Sequence, residues 1–267
     1  MVLEHEPGGL RAGDDERTDA AGPNAVLTKA RVILEAFDGS TPILGVSELA
    51  RRCGLPKTTV HRLARGLADC ELLERDGDRY RLGPWLFELG QKVPAHRRLR
   101  VAAAPFLEGL SRATKETVVL GVPGHGEIFF SEKYVGSRGR GQVVTQIAGR
   151  VPMTCGASGK VVLAFGPAAR VDAMIDAGLP RSTPFTITDP EVLRRELETV
   201  REQEYAAERQ ELVVGYGAVA APVWSEDEVI ATLTVVAPVS RLDTARFSVA
   251  VRLAAESLSV AIRGPRP

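Results

Sequence analysis

Cysteine is scarce in this chain, and its placement excludes two architectures at once. The three thiols, Cys53, Cys70 and Cys155, share no paired spacing in 267 residues. They suit neither a zinc site nor a disulfide framework, and a reducing cytoplasm is the expectation. Histidine is nearly as sparse. His5, His61, His96 and His125 stand apart, none beside a Ser or Cys with an acid to orient it, so no nucleophile–base pair and no metal cluster is expected. No run approaches the roughly 20 apolar residues of a membrane span. Net charge is absent too: 34 Lys and Arg balance 34 Asp and Glu, so any basic surface is local. Residues 1–23 hold six acids against two arginines and few apolar side chains. They read as a disordered tail, and they lack the apolar centre of a signal peptide.

What is present concentrates between Val46 and Gly83. Ser47 can cap a helix whose first turn carries Glu48, where the helix dipole favours a carboxylate. Leu49, Ala50 and Cys53 follow at helical spacing, Gly54 supplies a left-handed stop, and Pro56 suits the first position of a second helix. In that helix Val60, Leu63, Ala64 and Leu67 make one apolar stripe. Thr58, Arg62 and Arg65 point away from it, flanked by Thr59 and His61. No acid occurs between Leu49 and Ala68, while Arg51, Arg52, Lys57, Arg62 and Arg65 do. Such a face suits a phosphate-lined groove, the plain alternative being a solvated helix surface. Asp76-Gly77-Asp78 between alternating residues reads as a hairpin, with Leu72, Tyr80 and Leu82 inward and Arg75, Arg79 and Arg81 available to a phosphate backbone or a minor groove. An amphipathic segment over 25–37, with Val26, Ala30, Ile33, Leu34 and Phe37 inward, completes a winged helix-turn-helix. Thr58, His61, Arg62 and Arg65 are the candidates for base edges. Lys57, Thr59 and Arg79 are the candidates for phosphates, and Ser47 joins the DNA-contacting set.

Downstream, the spacing gives a winged unit over 24–92, a linker helix over 93–113 and a second domain over 114–267. Strands are expected at 117–122, 127–134, 218–224 and 229–237, and helices at 156–165, 168–177, 189–204 and 243–262. Two strand clusters with helices between and after them imply an α+β domain in which helices cover an antiparallel sheet and a concave site lies at the sheet face. Gly156-Ala157-Ser158-Gly159-Lys160 imitates part of a phosphate loop, but Thr154 and Val161 stand where that motif needs Gly and Ser or Thr. Small residues that let a loop and a helix start pack closely are one reading of it. Backbone N–H groups of Ala157 and Ser158 receiving a carboxylate are the other. Cys155 nearby reads as a small buried residue more readily than as a reactive thiol.

Four motifs in order, ELARRCGLPKTTVHRLARGL (48–67), RYRLGPWLFELG (79–90), VPMTCGASGKVVLA (151–164) and EYAAERQELVVGYGAVAAPVW (204–224), resemble the IclR family of bacterial transcriptional regulators over roughly 25–263. The resemblance implies a winged helix-turn-helix, a linker helix and a GAF-like effector-binding domain. It also implies a homodimer or dimer of dimers on a roughly palindromic double-stranded operator, and no cofactor or metal. It places the effector pocket at the start of the 156–165 helix, with Ala157, Ser158, Glu208, Ala218, Thr234 and Val236 lining it and Val143 and Met153 near the rim. Ala218 stands where the family often has Cys, and Val236 where it often has Ser. The pocket is therefore more apolar than usual, which implies a small-molecule effector with a carboxylate head and an apolar body, such as an aromatic acid. The implied activity is a ligand-responsive regulator, a repressor being the commoner behaviour. The reading from another class is an enzyme or sensor module whose winged helix contacts protein.

Overall fold

The computed structural model describes residues 23–37, 41–124, 126–139 and 149–263. The sequence expectations for residues 1–22, His125 and Val143 lie outside them. The chain divides into two compact units between Gly90 and Gln91.

In the first unit, α1 (Pro23–Glu35), α2 (Val46–Cys53) and α3 (Lys57–Asp69) join a three-stranded sheet made of β1 (Leu44–Gly45), β2 (Leu73–Asp76) and β3 (Arg79–Leu82), followed by α4 (Pro84–Gln91). The sheet order is β1-β3-β2, all antiparallel. One core holds it together: Ile33, Leu49, Leu67, Leu73 and Tyr80, with the α3 stripe Val60, Leu63 and Ala64, are buried against one another. Gly54 ends α2 at φ 64°, where a side chain would be strained. Several local expectations are corrected. Ser47 does not cap α2. Gly45, at φ −82° and ψ 161°, is the N-cap, and Ser47 lies within the helix. Pro56 is the extended N-cap of α3 (ψ 137°) rather than its first residue. Val26 is exposed, because it lies a full helical turn before the buried part of α1. In the wing, Tyr80 is buried as expected and Leu72 is partly buried against the same core, but the buried residue of β2 is Leu73, opposite Leu82, which is itself 43% exposed.

The second unit is three-layered. Six strands run in the order β6-β5-β4-β9-β8-β7, every neighbouring pair antiparallel: β4 (Thr117–Pro123), β5 (Glu127–Tyr134), β6 (Arg150–Pro152), β7 (Ala206–Arg209), β8 (Tyr216–Ser225) and β9 (Glu228–Pro238). Alternation sorts the side chains. Val118, Leu120, Val219, Leu233 and Val235 face a layer built from α5 (Pro94–Thr114) and α9 (Thr244–Arg263). Val119, Ala218, Ala220 and Val236 face the layer of α6 (Ala157–Phe165), α7 (Ala168–Asp176) and α8 (Pro190–Gln203). With both faces covered, the central strands read as continuous apolar runs, which is why β4, β8 and β9 were visible in the sequence. The short edge strands β6 and β7 were not. Asp189 caps α8 by accepting from the N–H groups of Glu191 (2.8 Å) and Val192 (2.9 Å), and Pro190 takes the first position, where no N–H is needed.

Helix α5 carries more than a linker's duty, since Leu99, Ala103, Leu107 and Leu110 pack into the core of the second unit. Pro105 lies inside it on the exposed side, where water can satisfy the carbonyl that loses its donor. Helix α6 is buried continuously from Ala157 to Ala164. Its tight seat depends on Gly159, where an added Cβ would lie 2.0 Å from the Met153 carbonyl oxygen. In an exposed helix Gly→Ala gains about 1 kcal/mol. Here the collision is with backbone, and Gly159→Ala is expected to cost about 2 kcal/mol or more, measured by urea unfolding. A stabilised variant would contradict this packing.

Candidate functional site

Two sites emerge, one in each unit. In the first, Thr58, His61, Arg62 and Arg65 on α3 are exposed, Lys57 is exposed at its start, and Thr59 is half-buried. They lie opposite the buried stripe, as the helical period requires. Not all the basic residues around them are available. Glu48 accepts from Arg51 (2.7 Å) and Arg52 (3.0 Å), and these partners hold its carboxyl down at about 2. Arg52 also donates to the Ala36 carbonyl (3.0 Å) and the Thr41 hydroxyl (2.8 Å), which ties α2 to α1 and to the segment before β1. On the wing, Arg81 pairs with Glu74 across the hairpin at 2.7 Å, Arg75 lies over the Tyr80 ring, and Arg79 donates to the Ile43 carbonyl. On α3, Lys57, Arg62 and Arg65 stand in no ion pair among the described residues. Ser47 is exposed at the start of α2.

The second site follows from strand register. Glu208 on β7 is opposite Ala218 on β8, and Ala218 is opposite Val236 on β9. One row across three strands thus carries three of the expected residues. Thr234, two residues before Val236, is on the same face. The N-terminus of α6 sits over this row, and the Ser158 and Thr234 hydroxyls lie 2.7 Å apart. Between them is a narrow hollow, part of it open to solvent. Ala157, Ser158, Glu208, Ala218, Thr234 and Val236 all line it, all of them buried. Met153 does not. It is 1% exposed in the core beside α6, because its backbone rather than its side chain meets the start of the helix. The sequence reading missed Phe130, Val151, Leu212, Val213 and Tyr216, which make the rest of the wall along with Cys155 and Gly156. Nothing in local spacing marks them, since they arrive from β5, β6, the turn between β7 and β8, and the first residue of β8.

Gly156 precedes α6 at φ 85°, with no side-chain cap. The first N–H groups of a helix cannot bond within it, so those of Ala157 and Ser158 are donors at the lined end of the hollow, reinforced by the helix dipole. Glu208 is the carboxyl that lines the same hollow. Burial pushes its carboxyl up to about 7, aided by the neighbouring Glu211 carboxylate and opposed by the Glu211 backbone N–H, which donates to Oε2 at 2.8 Å. Behind it lies a buried ammonium. Lys160, fully enclosed, donates to Glu211 (2.6 Å) and to Glu196 on α8 (3.2 Å). Its charge is directed at carboxylates, which removes the last resemblance of 156–160 to a phosphate loop. Cys155 donates to the Pro180 carbonyl (3.4 Å), and burial pushes its thiol up, away from the reactive form.

A winged reader with a cationic helix face, together with a sheet domain holding a buried, anion-ready hollow, defines the class of one-chain, ligand-responsive DNA-binding proteins. The sequence comparisons agree in detail. Residues 26–77 match the IclR helix-turn-helix domain and residues 91–260 match the C-terminal domain of bacterial IclR transcriptional regulators. The chain belongs to the IclR family, and it is a ligand-responsive DNA-binding transcriptional regulator. It is 32% identical to the HTH-type transcriptional regulator KipR of Bacillus subtilis, over 78% of this chain and 83% of that one. It is 28% identical to the transcriptional repressor AllR of Klebsiella pneumoniae, over 94% of each. Among solved structures, an IclR homologue from Microbacterium hydrocarbonoxydans in complex with 4-hydroxybenzoate is 30% identical over 89% of this chain and 99% of that one, with a TM-score of 0.80.

A carboxyl raised from its ordinary 4.5 to about 7 on folding binds its proton more tightly in the native state, so Glu208 makes the protein less stable as pH rises from about 4.5 to 7 and has no further effect above that. Wild type should therefore lose roughly 1–3 kcal/mol relative to Glu208→Gln across this window, read from urea unfolding at matched pH values. Parallel pH curves for the two proteins would contradict the raised carboxyl.

Proposed function

We propose that the hollow at the start of α6 takes a small monocarboxylate with an apolar, aromatic body, and that its occupation changes how tightly the winged unit holds operator DNA. One observation carries the ligand reading: the free N–H groups of Ala157 and Ser158 open into a hollow whose floor is Ala218, Thr234 and Val236. An anion finds its partners at the helix start, and its body meets apolar walls. The 4-hydroxybenzoate carried by the Microbacterium relative is a molecule of this kind, which supports the class without fixing the compound. Met153 supports the helix start from the core.

On the DNA side, Thr58, His61, Arg62 and Arg65 read base edges from the major groove, Lys57, Thr59 and Arg79 hold phosphates, and Ser47 adds a contact from the start of α2. The protein acts as a cytoplasmic homodimer or dimer of dimers on a near-palindromic site. It represses without ligand, and it performs no catalysis. The relatives named as regulators and repressors support this reading, and no described helix is long and apolar enough to cross a membrane. The ligand acts only as far as its affinities for two arrangements of the chain differ, a coupling of about 1–3 kcal/mol in typical cases.

Two arginines separate reading from folding. Arg62→Glu is expected to abolish specific binding to the promoter DNA of its own and neighbouring genes with the thermal midpoint unchanged. Arg52→Ala, which cuts the ties to Glu48, Thr41 and the Ala36 carbonyl, is expected to lower stability first, by about 1–2 kcal/mol. Gel shifts and thermal melts on both variants decide it. An Arg62→Glu protein that retains specific DNA binding defeats the assignment of α3.

A further inference from the structure

The second unit gathers three carboxyl groups around a single ammonium beside the hollow. Lys160 spends its donors on Glu211 and Glu196, and the second carboxyl oxygen of Glu211 is buried without a hydrogen-bond partner. Glu208, 5% exposed, forms part of the wall itself. The charged groups that bear on Glu208 are Glu211 from its own loop, Lys160 from α6 and, behind Lys160, Glu196 from α8. Tyr216 and Cys155 face the same hollow from β8 and from the turn before α6. On β7, Ala206 shares the face of Glu208 and carries no charge, Ala207 and Arg209 turn to the other face, and Arg209 is exposed. With both buried acids ionised, Glu208 and Glu211 would set two negative charges beside one enclosed ammonium, while Glu196, 34% exposed, keeps part of its solvation. An incoming carboxylate would add a third buried negative charge, with no further cation among the described residues that line the hollow. Like charges in a poorly solvated site cannot all remain ionised.

We propose that the hollow binds its carboxylate together with one proton, taken up from solvent and held on Glu208, so that occupation of the site is linked to pH. This deepens the effector reading and rests on it. The ligand binds as the anion at the α6 N-terminus. Glu208 passes from carboxylate to carboxylic acid as the ligand enters, and the total charge of the hollow stays constant. The neutral acid then has an O–H to donate, which a carboxylate oxygen of the ligand at the helix start can accept. A shift of the Glu208 carboxyl to about 7 even in the empty site puts the transition in a range where cytoplasmic acidification alters occupancy.

The test is calorimetric titration of the full chain with 4-hydroxybenzoate, and with benzoate as a second probe, in buffers of different ionisation enthalpy. Close to one proton taken up per molecule bound is expected at about pH 8, falling toward none below about pH 6, with Kd rising toward tenfold per pH unit above about 7. Glu208→Gln should bind with a Kd independent of pH. Binding by wild type without proton uptake overturns this proposal and leaves the effector reading standing. Failure of both acids to bind at any pH overturns both. Proton uptake that persists in Glu208→Gln overturns the assignment to this residue. Carbon-13 carboxyl titration of the wild-type protein decides the case if the variant does not fold. A glutamate carboxyl titrating near 7 and moved upward by the acid supports the proposal, and its absence refutes it.

Discussion

Helix α6 is buried along its length, and much of the second unit follows from that burial. A helix enclosed on every side cannot carry a loose charge, so Lys160 must meet carboxylates, and Glu211 and Glu196 are brought to it from a loop and from α8. It cannot sit deep without surrendering a side chain, so Gly159 lies against the Met153 backbone. Its N-terminus then reaches the middle of the sheet, over the row Glu208–Ala218–Val236, with two backbone donors that have no partner inside the helix. The same geometry that buries the helix therefore leaves two backbone donors at its start, close to the buried carboxyl of Glu208.

The winged unit obeys a simpler rule. The stripe Val60, Leu63, Ala64 and Leu67 is fixed against the core, and what remains of α3 is dictated by the 100° step: hydroxyls, a histidine and arginines on the solvent side. The nearby acid does not neutralise that face, because Glu48 is engaged by Arg51 and Arg52. Charge in this protein is thus allocated by geometry. Arg52 and Arg81 complete the local structure, while Lys57, Arg62 and Arg65 are left for a partner.

Where the sequence was legible, one physical period dominated. Helical spacing disclosed α3 and α8, and continuous apolar runs disclosed β4, β8 and β9, because both faces of those strands are covered. Legibility failed where the determinant was not local. In the wing, Leu72 and Leu73 offer equal apolarity, and only the pairing of Leu73 with Leu82 marks which of them is the buried strand residue. The edge strands β6 and β7 are too short to show alternation. The hollow was half visible. The helix start and the β7–β8–β9 row came from the family resemblance and fell on its wall, while Phe130, Val151 and Tyr216 arrive from distant segments that only the fold brings together. Lys160 was seen as part of a failed phosphate motif, and its carboxylate partners, 36 and 51 residues away, gave no sign of it.

The central claim is that a carboxylate in the hollow of the second unit alters DNA binding by the first. The most direct measurement is a nuclease footprint of the purified protein on the DNA around its own gene, repeated with graded aromatic carboxylic acids. The account predicts a discrete, roughly palindromic protected segment whose half-saturation shifts about 5- to 150-fold with an effective acid. The same acid should have no effect when Ser158 is replaced by a bulky residue that fills the helix start. A protected segment that responds equally in that variant would contradict it, as would the absence of any specific protection.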